Sequence, residues 1–380
     1  MQTNSKKDNC IYLSGAVKEA NGFIWMSLLE ANGLVQIDIN TGVARFVECF
    51  KNEIQEYQLH TQIVLYKNKM FFIPWNGINI AIYEFEKNEL RYVIGNNRNP
   101  GRFVSGMQDG RYLYLVSETF HTIVKFDMDE EKIIDVYELK EINQEDEFLG
   151  HVMPLKIGTY LWKITGSSQG SWKFDLHNNQ YLLQENLFEK KVRLVAGCTE
   201  GEFFWLLDDN DILYQLSENG TYINQYDLSI AMDYILKEEK RESLNCIFLN
   251  NILYVISYGK GCIIKIPFSG DEFLVHESQY QKFENLLVYV EDRILTIESN
   301  SKLVFINEVE KKEITFHVSP DFYDTYIMKK EGILQENKFY NMGLESYIEC
   351  LCKKKDNLLS DQESCDMSIG KSIIDICWRV

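Results

Sequence analysis

Short apolar runs alternate with polar turn residues along most of the chain. In the first unit, FIWMS at 23–27 is followed by LVQIDIN at 34–40, and similar pairs recur as far as RILTIES and KLVFINE. The runs are rich in β-branched and aromatic residues, which predicts β-strands bounded by turns. The second run of each pair carries a marker position, and we align these markers on Asp38, Glu84, Asp127, Asp175, Gln215, Lys265 and Phe305.

The markers recur at intervals of about 40–50 residues, which is the period of a four-stranded propeller blade. One further run precedes each pair, from IYLSGAV to NLLVYV, and another follows it, from VARFVEC to EITFHV. Over residues 9–318 the chain therefore resembles the β-propeller superfamily. The resemblance predicts an all-β fold, a β-propeller of about seven four-stranded antiparallel blades. The sequence has no tryptophan–aspartate repeat, kelch double glycine or quinone-docking signature, so it indicates no narrower family.

Three segments depart from the repeat. Residues 228–243 have the composition of a helix inserted between the fifth and sixth units. Residues 318–343 fit either an extra hairpin or a broken helix. The segment 343–355 has apolar residues at helical spacing, which predicts an amphipathic helix. Together, residues 319–380 are expected to form a C-terminal cap or docking segment with short helices.

Composition and charge exclude several classes of function. The chain has 380 residues, of which 45% are hydrophobic, so it has enough apolar residues to form a large core. Its net charge of −18 repels phosphate backbones and anionic lipid surfaces, so we expect no nucleic-acid or membrane partner. Neither a signal peptide nor a transmembrane run is visible. We therefore expect a cytoplasmic protein whose nine cysteines form no structural disulfide.

The cysteines near the C-terminus provide the best candidate for a metal site. Cys350, Cys352, Cys365 and Cys377 begin with a C-x-C spacing, whereas zinc sites favour C-x₂₋₄-C pairs. On a helix, residues two apart point about 200° apart, so Cys350 and Cys352 cannot bind one ion together. We predict no metal site and no cofactor.

Catalytic motifs are equally scarce. The sequence contains no G-x-S-x-G, P-loop or H-E-x-x-H motif. Glu118 and His121 lie in a predicted loop between the second and third strands of a blade, where many propellers bind ligands. They are the candidates for a catalytic acid and base.

The candidate ligand site comes from a register of basic residues. His60, Arg102 and Arg193 each lie ten residues before a second strand begins, and His151 lies nine before one. Because the first strands of a propeller begin at one height, equal offsets predict a ring of side chains at the channel mouth. Such a ring could bind a carboxylate, a phosphate or a uronic-acid sugar, since arginine binds oxyanions bidentately. The alternative is that these residues pair with loop carbonyls or acidic neighbours.

Aromatic residues near the same rim extend this hypothesis. Trp75, Trp172 and Tyr258 could stack on a sugar ring, or they could pack at the ends of the blades. All seven residues form the predicted ligand-binding set.

Three functions remain open on this sequence. The first is a non-enzymatic binding or scaffolding propeller that engages a protein partner or an anionic ligand through this face, or a protein through residues 319–380. The second is a lyase or hydrolase acting on an anionic saccharide or lactone, with His60, His151, His121 and Glu118 as its candidates. The third is a carrier of a cofactor or metal. Fold alone does not choose among them.

Overall fold

The computed structural model describes residues 15–28, 32–51, 53, 58–94, 102–139, 153–166, 170–184, 187–188, 190–233, 244–258, 260–282, 287–290, 294–298, 302–306 and 312–318. Within these residues the chain forms seven sheets that follow one another along the sequence, and consecutive strands within each sheet are antiparallel. The chain is a seven-bladed β-propeller, which confirms the prediction. His151, residues 234–243 of the predicted insertion and the predicted C-terminal segment 319–380 lie outside the described residues.

Each blade is built from consecutive strands. The first four blades contain β1 (Gly15–Ala20), β2 (Phe23–Leu28), β3 (Leu34–Asp38) and β4 (Val43–Glu48); β5 (His60–Tyr66), β6 (Lys69–Pro74), β7 (Asn79–Glu84) and β8 (Glu89–Ile94); β9 (Phe103–Asp109), β10 (Tyr112–Ser117), β11 (Thr122–Asp127) and β12 (Lys132–Glu138); and β13 (Leu155–Ile157), β14 (Tyr160–Lys163), β15 (Ser171–Asp175) and β16 (Gln180–Gln184).

The last three blades are similar. They contain β17 (Leu194–Glu200), β18 (Phe203–Asp208), β19 (Ile212–Ser217) and β20 (Tyr222–Asp227), followed by the short helix α1 (Ser229–Met232); β21 (Leu244–Leu249), β22 (Ile252–Ser257), β23 (Cys262–Ser269), β24 (Glu272–Phe273) and β25 (Gln279–Lys282); and β26 (Leu287–Val290), β27 (Ile294–Glu298), β28 (Lys302–Phe305) and β29 (Lys312–Thr315), after which comes β30 (His317–Val318).

The first strand of each blade lies innermost. β1 contacts β5 and β26, and β17 contacts β13 and β21, so the first strands of neighbouring blades meet around one axis. The second strands are buried on both faces between adjacent blades, and β10 (YLYLVS) is buried at every position after its first. This burial explains why these runs are continuously apolar rather than alternating.

The three aspartate markers in the sequence close turns. The Asp38 carboxylate accepts hydrogen bonds from the backbone N–H groups of Asn40 and Thr41, at 2.8 and 2.9 Å. Asp127 and Asp175 make the same pair of bonds to the second and third residues after them. Each carboxylate therefore closes the turn between the third and fourth strands, a local geometry that aspartate favours.

The ring closes where blade seven meets blade one. β30 pairs in parallel with β4, with His317 opposite Val43, and adds a fifth strand to the first blade. Phe316, which links β29 to β30, is buried in a cluster with core residues of blades one and seven. A Cβ at Gly42 would collide with the carbonyl oxygen of Thr315, so only glycine fits at this contact.

Blades five and six differ in detail from the sequence prediction. In blades five and six, the first residue of the second strand pairs with Ser217 and with Pro267, respectively. These two residues lie two positions after the markers Gln215 and Lys265. The outer edge of blade six was expected at EFLVHES, but β24 there is only two residues long and β25 follows it. In the described part of the chain, no helix is long and apolar enough to cross a membrane.

Candidate functional site

The two faces of the propeller are defined by strand direction. Each first strand begins on the face that also carries the loops between second and third strands and the connections between blades; we call this the loop face. The opposite face carries the tight turns within each blade, and we call it the turn face. By this definition, the described residues of the predicted site lie at the loop face, except Trp172, which lies within β15.

Arg102, Trp75 and Glu118 form one cluster on the loop face, between blades two and three. The guanidinium carbon of Arg102 lies 5.6 Å from the centroid of the Trp75 ring, in a cation–π contact. A guanidinium nitrogen of Arg102 lies 3.9 Å from a carboxylate oxygen of Glu118, and both side chains are 49% exposed. The cluster thus offers a partly exposed aromatic ring, a cation and an anion within one patch.

Backbone hydrogen bonds hold this cluster in place. The Trp75 N–H donates to the carbonyl of Leu59 at 2.8 Å, and the Glu118 N–H donates to the carbonyl of Arg102 at 2.7 Å. The Thr61 hydroxyl of blade two donates to the carbonyl of Phe103 in blade three at 3.2 Å. The backbone under the three side chains is therefore tied across both blades.

Glu53 supports the same loop and was not predicted from the sequence. Its buried carboxylate accepts hydrogen bonds from the N–H groups of Ile78 and Asn79, at 2.7 and 3.1 Å. Burial raises the pKa of Glu53, while these hydrogen bonds act in the opposite direction. A lone glutamate in a polar stretch gives no sequence signal of such a role, because its partners are backbone groups 25 and 26 residues away.

His60 is enclosed in the core at the start of β5. It is 2% exposed, its ring lies 4.5 Å from that of Phe50 and 5.3 Å from that of Phe72, and its Nδ1 is 2.7 Å from the Ser27 hydroxyl. Burial lowers the pKa of His60 to about 3. A neutral, enclosed imidazole cannot supply the positive charge that the register predicted here. Its role in ligand binding stays a prediction.

The remaining members of the predicted set are dispersed. Arg193 is exposed at the start of blade five, and its carbonyl accepts the Asp209 N–H at 2.9 Å. Tyr258 is exposed after β22 in blade six. Trp172 is fully buried among core residues of blades three and four, so it fits the alternative of packing within the blades and presents no face to a sugar. The structure groups Arg102 with Trp75 and does not bring Arg193 to them through any contact.

The candidate acid and base do not form a pair. Glu118 faces Arg102, and no hydrogen bond between described residues joins it to His121. The His121 carbonyl accepts the Leu139 N–H at 2.7 Å, which gives this residue a backbone role. Among the described residues no group of histidine, cysteine and acidic side chains could hold a metal ion. The four C-terminal cysteines lie outside the described residues.

Exposed apolar side chains mark the loop face on several blades. Ile78 follows the Trp75 loop, Met153 precedes blade four, Ile230 lies in α1 and Tyr258 follows β22, and each is 41–55% exposed. On the turn face, the large apolar residues exposed in the described chain belong to blade five, namely Phe203 and Tyr222. The sequence could have indicated the exposure of Ile78, because this apolar residue follows Gly77 in the predicted loop between two strands.

The turn face is instead rich in ion pairs. Lys67 pairs with Asp129, Lys69 with Glu131 at 2.7 Å, and Arg91 with both Glu131 and Glu84. These contacts join the turns of blades two and three. Between blades two and three, several ion pairs therefore lie on the turn face, whereas the loop face combines the Trp75 ring with the Arg102–Glu118 pair.

Comparisons with known proteins agree with the architecture. Neither a protein-family model nor a curated protein matches the chain. Many solved structures do. A chain of the mitotic checkpoint complex matches 78% of this chain and 88% of its own length, at 11% identity and a TM-score of 0.51. PorZ of Porphyromonas gingivalis matches at 11% identity and a TM-score of 0.55, over 81% of this chain and 39% of PorZ.

BamB from Moraxella catarrhalis matches 76% of this chain and 80% of its own length, at 15% identity and a TM-score of 0.48. At 11% identity, the likeness to PorZ and to the checkpoint-complex chain shows the fold alone. The chain is a β-propeller, and no narrower family is identified.

Proposed function

We propose that this propeller binds a protein partner through its loop face, with Trp75 and Arg102 at the centre of the contact. The observation that carries the proposal is the half-buried Trp75 in a cation–π contact with Arg102, three residues before the exposed Ile78 in the same loop. Tryptophan and arginine are the residue types that contribute most often to the binding energy of protein interfaces. Further exposed apolar residues on the same face would contact the partner around this centre.

The internal energetics of the cluster favour a role in binding over one in folding. An exposed ion pair such as Arg102–Glu118 contributes about 0–1 kcal/mol to stability, and an exposed cation–π contact about 0.5–1 kcal/mol. The cation–π contact strengthens to about 2 kcal/mol when a partner excludes water from it. Glu53 and the cross-blade hydrogen bonds keep the backbone ordered before binding, so little ordering entropy opposes association.

Substitution of the cluster should abolish most of the affinity. We expect Trp75→Ala or Arg102→Ala to weaken partner binding by at least about 2 kcal/mol, which is about 30-fold. The measurement is affinity capture from the native extract with quantitative mass spectrometry, followed by biolayer interferometry of each purified partner against the variants.

The matched control for this experiment is Arg111→Ala. Arg111 also stacks on an aromatic ring, that of Tyr112 at 5.0 Å, and pairs with the Asp127 carboxylate at 3.0 Å, but it lies on the turn face. Its substitution should leave partner binding unchanged. Equal losses in Arg111→Ala and Arg102→Ala, or unchanged capture by Trp75→Ala with its thermal melting intact, would contradict the proposal.

A small anion could use the same arginine, and the experiment separates that case. Calorimetric titration with glucuronate tests it directly on the wild type and on Arg102→Ala. Glucuronate binding that is lost in Arg102→Ala, with no captured protein depending on Trp75, would replace the protein partner by an anionic ligand at this site.

A further inference from the structure

The outer strand of a propeller blade presents a free edge of backbone N–H and C=O groups unless another segment pairs with it. Such an edge can pair with a strand of another molecule, and proteins usually prevent this with charged residues, bulges or a covering segment. The outer strands of this propeller differ in which of these protections they carry.

All but one of the described outer strands are protected. β30 covers β4 in blade one. The pairing of β12 and of β20 with their neighbours contains a bulge. Charged residues occupy the other three outer strands, namely Glu89 and Arg91 in β8, Lys282 in β25, and Lys312 and Glu313 in β29.

β16 in blade four carries none of these protections. Its sequence is QYLLQ, with no charged residue, and its pairing with β15 is regular from Gln180 to Gln184. It forms the edge of its sheet, with no further strand of the described chain beside it. Leu182 is 57% exposed, more than any other large apolar residue of the described chain, and Leu183 is 38% exposed.

We propose that β16 pairs antiparallel with β16 of a second copy of this chain, forming a two-fold symmetric dimer. QYLLQ is nearly palindromic, so a two-fold axis at Leu182 places Leu182 opposite its own copy. The same register places Gln180 opposite Gln184 and Tyr181 opposite Leu183. A two-fold contact requires a surface that complements itself, and this strand does.

Charge favours this strand as the meeting point of two copies. Each chain carries a net charge of −18, so two copies repel one another wherever acidic surfaces approach. A strand without charged side chains avoids opposing like charges across the pair, which would destabilise it. At about 0.15 M salt the screening length is about 8 Å, so charges farther from the axis contribute little.

The expected dimer is weak. A pair of five-residue strands buries less than the roughly 1,200–2,000 Å² of a stable interface. Association should therefore be reversible and should appear as a rise in mean mass with concentration, across about 1–200 µM protein.

The test is sedimentation equilibrium of the full chain over that range. We expect Leu182→Lys to raise the dimer dissociation constant at least about tenfold, because it places two lysines opposite each other at the axis. The control is Val136→Lys on the outer strand of blade three, where an apolar residue of similar exposure, 48%, lies near a bulge. Monomer at every wild-type concentration, or a dimer unaffected by Leu182→Lys, would overturn the proposal.

A cross-linking experiment tests the register independently. With oxidised glutathione as the oxidant, two thiols of Leu182→Cys should form one intermolecular disulfide and release two glutathione thiols. Leu183→Cys should cross-link much less, because Leu183 faces Tyr181 of the partner in this register. Equal cross-linking of the two variants, or none beyond that of the wild type, would exclude the β16 pair.

Discussion

Replacing Trp205 by alanine is expected to lower the free energy of unfolding by about 3–5 kcal/mol. Trp205 is 2% exposed, and its ring stacks on that of Phe248 at 5.1 Å with an interplanar angle of 5°. It also makes edge contacts with Phe268 and Phe273, each at 5.7 Å. Since Phe248, Phe268 and Phe273 belong to blade six, the substitution leaves a cavity at the boundary between blades five and six.

The loss should come from packing, because the buried indole nitrogen of Trp205 has no hydrogen-bond partner in the described chain. Urea unfolding followed by circular dichroism measures it. Phe203→Ala is the matched control, since Phe203 begins the same strand but is 37% exposed. A loss for Trp205→Ala no larger than that for Phe203→Ala would show that this aromatic cluster does not hold the two blades together.

Acidification should destabilise the protein through His60. Its pKa is about 3 in the folded state and near 6.5 when unfolded, so below pH 6.5 the unfolded chain binds a proton that the folded chain does not. Stability is therefore greatest above pH 6.5 and falls as the pH decreases toward 3. Linkage gives about 1.36 kcal/mol per pH unit, and hence a loss of about 2 kcal/mol between pH 7.5 and 5.

This pH dependence can be assigned by substitution. His60→Gln should remove about 2 kcal/mol of the change in unfolding free energy between pH 7.5 and 5, whatever its effect at neutral pH. His276→Gln, which alters an exposed histidine, should retain the full change. An unaltered pH dependence in His60→Gln would mean that the imidazole is protonated in the folded protein, and the cationic interpretation of this position would regain support.

The blade pattern could be predicted from the sequence because it depends on local chemistry. Apolar runs form strands, and an aspartate at the end of a third strand closes its own turn through neighbouring N–H groups, as Asp38, Asp127 and Asp175 show. Where no aspartate marks the turn, as near Gln215 and Lys265, the alignment was two residues early. The repeat was therefore sufficient to predict the number of blades and most strand positions.

The tertiary structure decided which of the predicted residues form the candidate functional site. Equal offsets placed His60 and Arg102 at the starts of first strands, but burial between Phe50 and Phe72 keeps the histidine neutral, while exposure leaves the arginine available over Trp75. Sequence spacing sets the height of a residue along its strand. Which neighbours surround its side chain, and therefore its charge and accessibility, is decided by contacts between blades.

The same distinction applies to the whole molecule. Local preferences and the repeat by themselves determined that the chain forms seven blades, because each strand and turn follows from residues close in sequence. Only the tertiary structure decided that Trp172 is core, that Glu53 supports the Trp75 loop, and that β16 is the edge strand of its sheet among the described residues. Those properties depend on packing between residues far apart in the chain, and on which strand forms the edge of each described sheet.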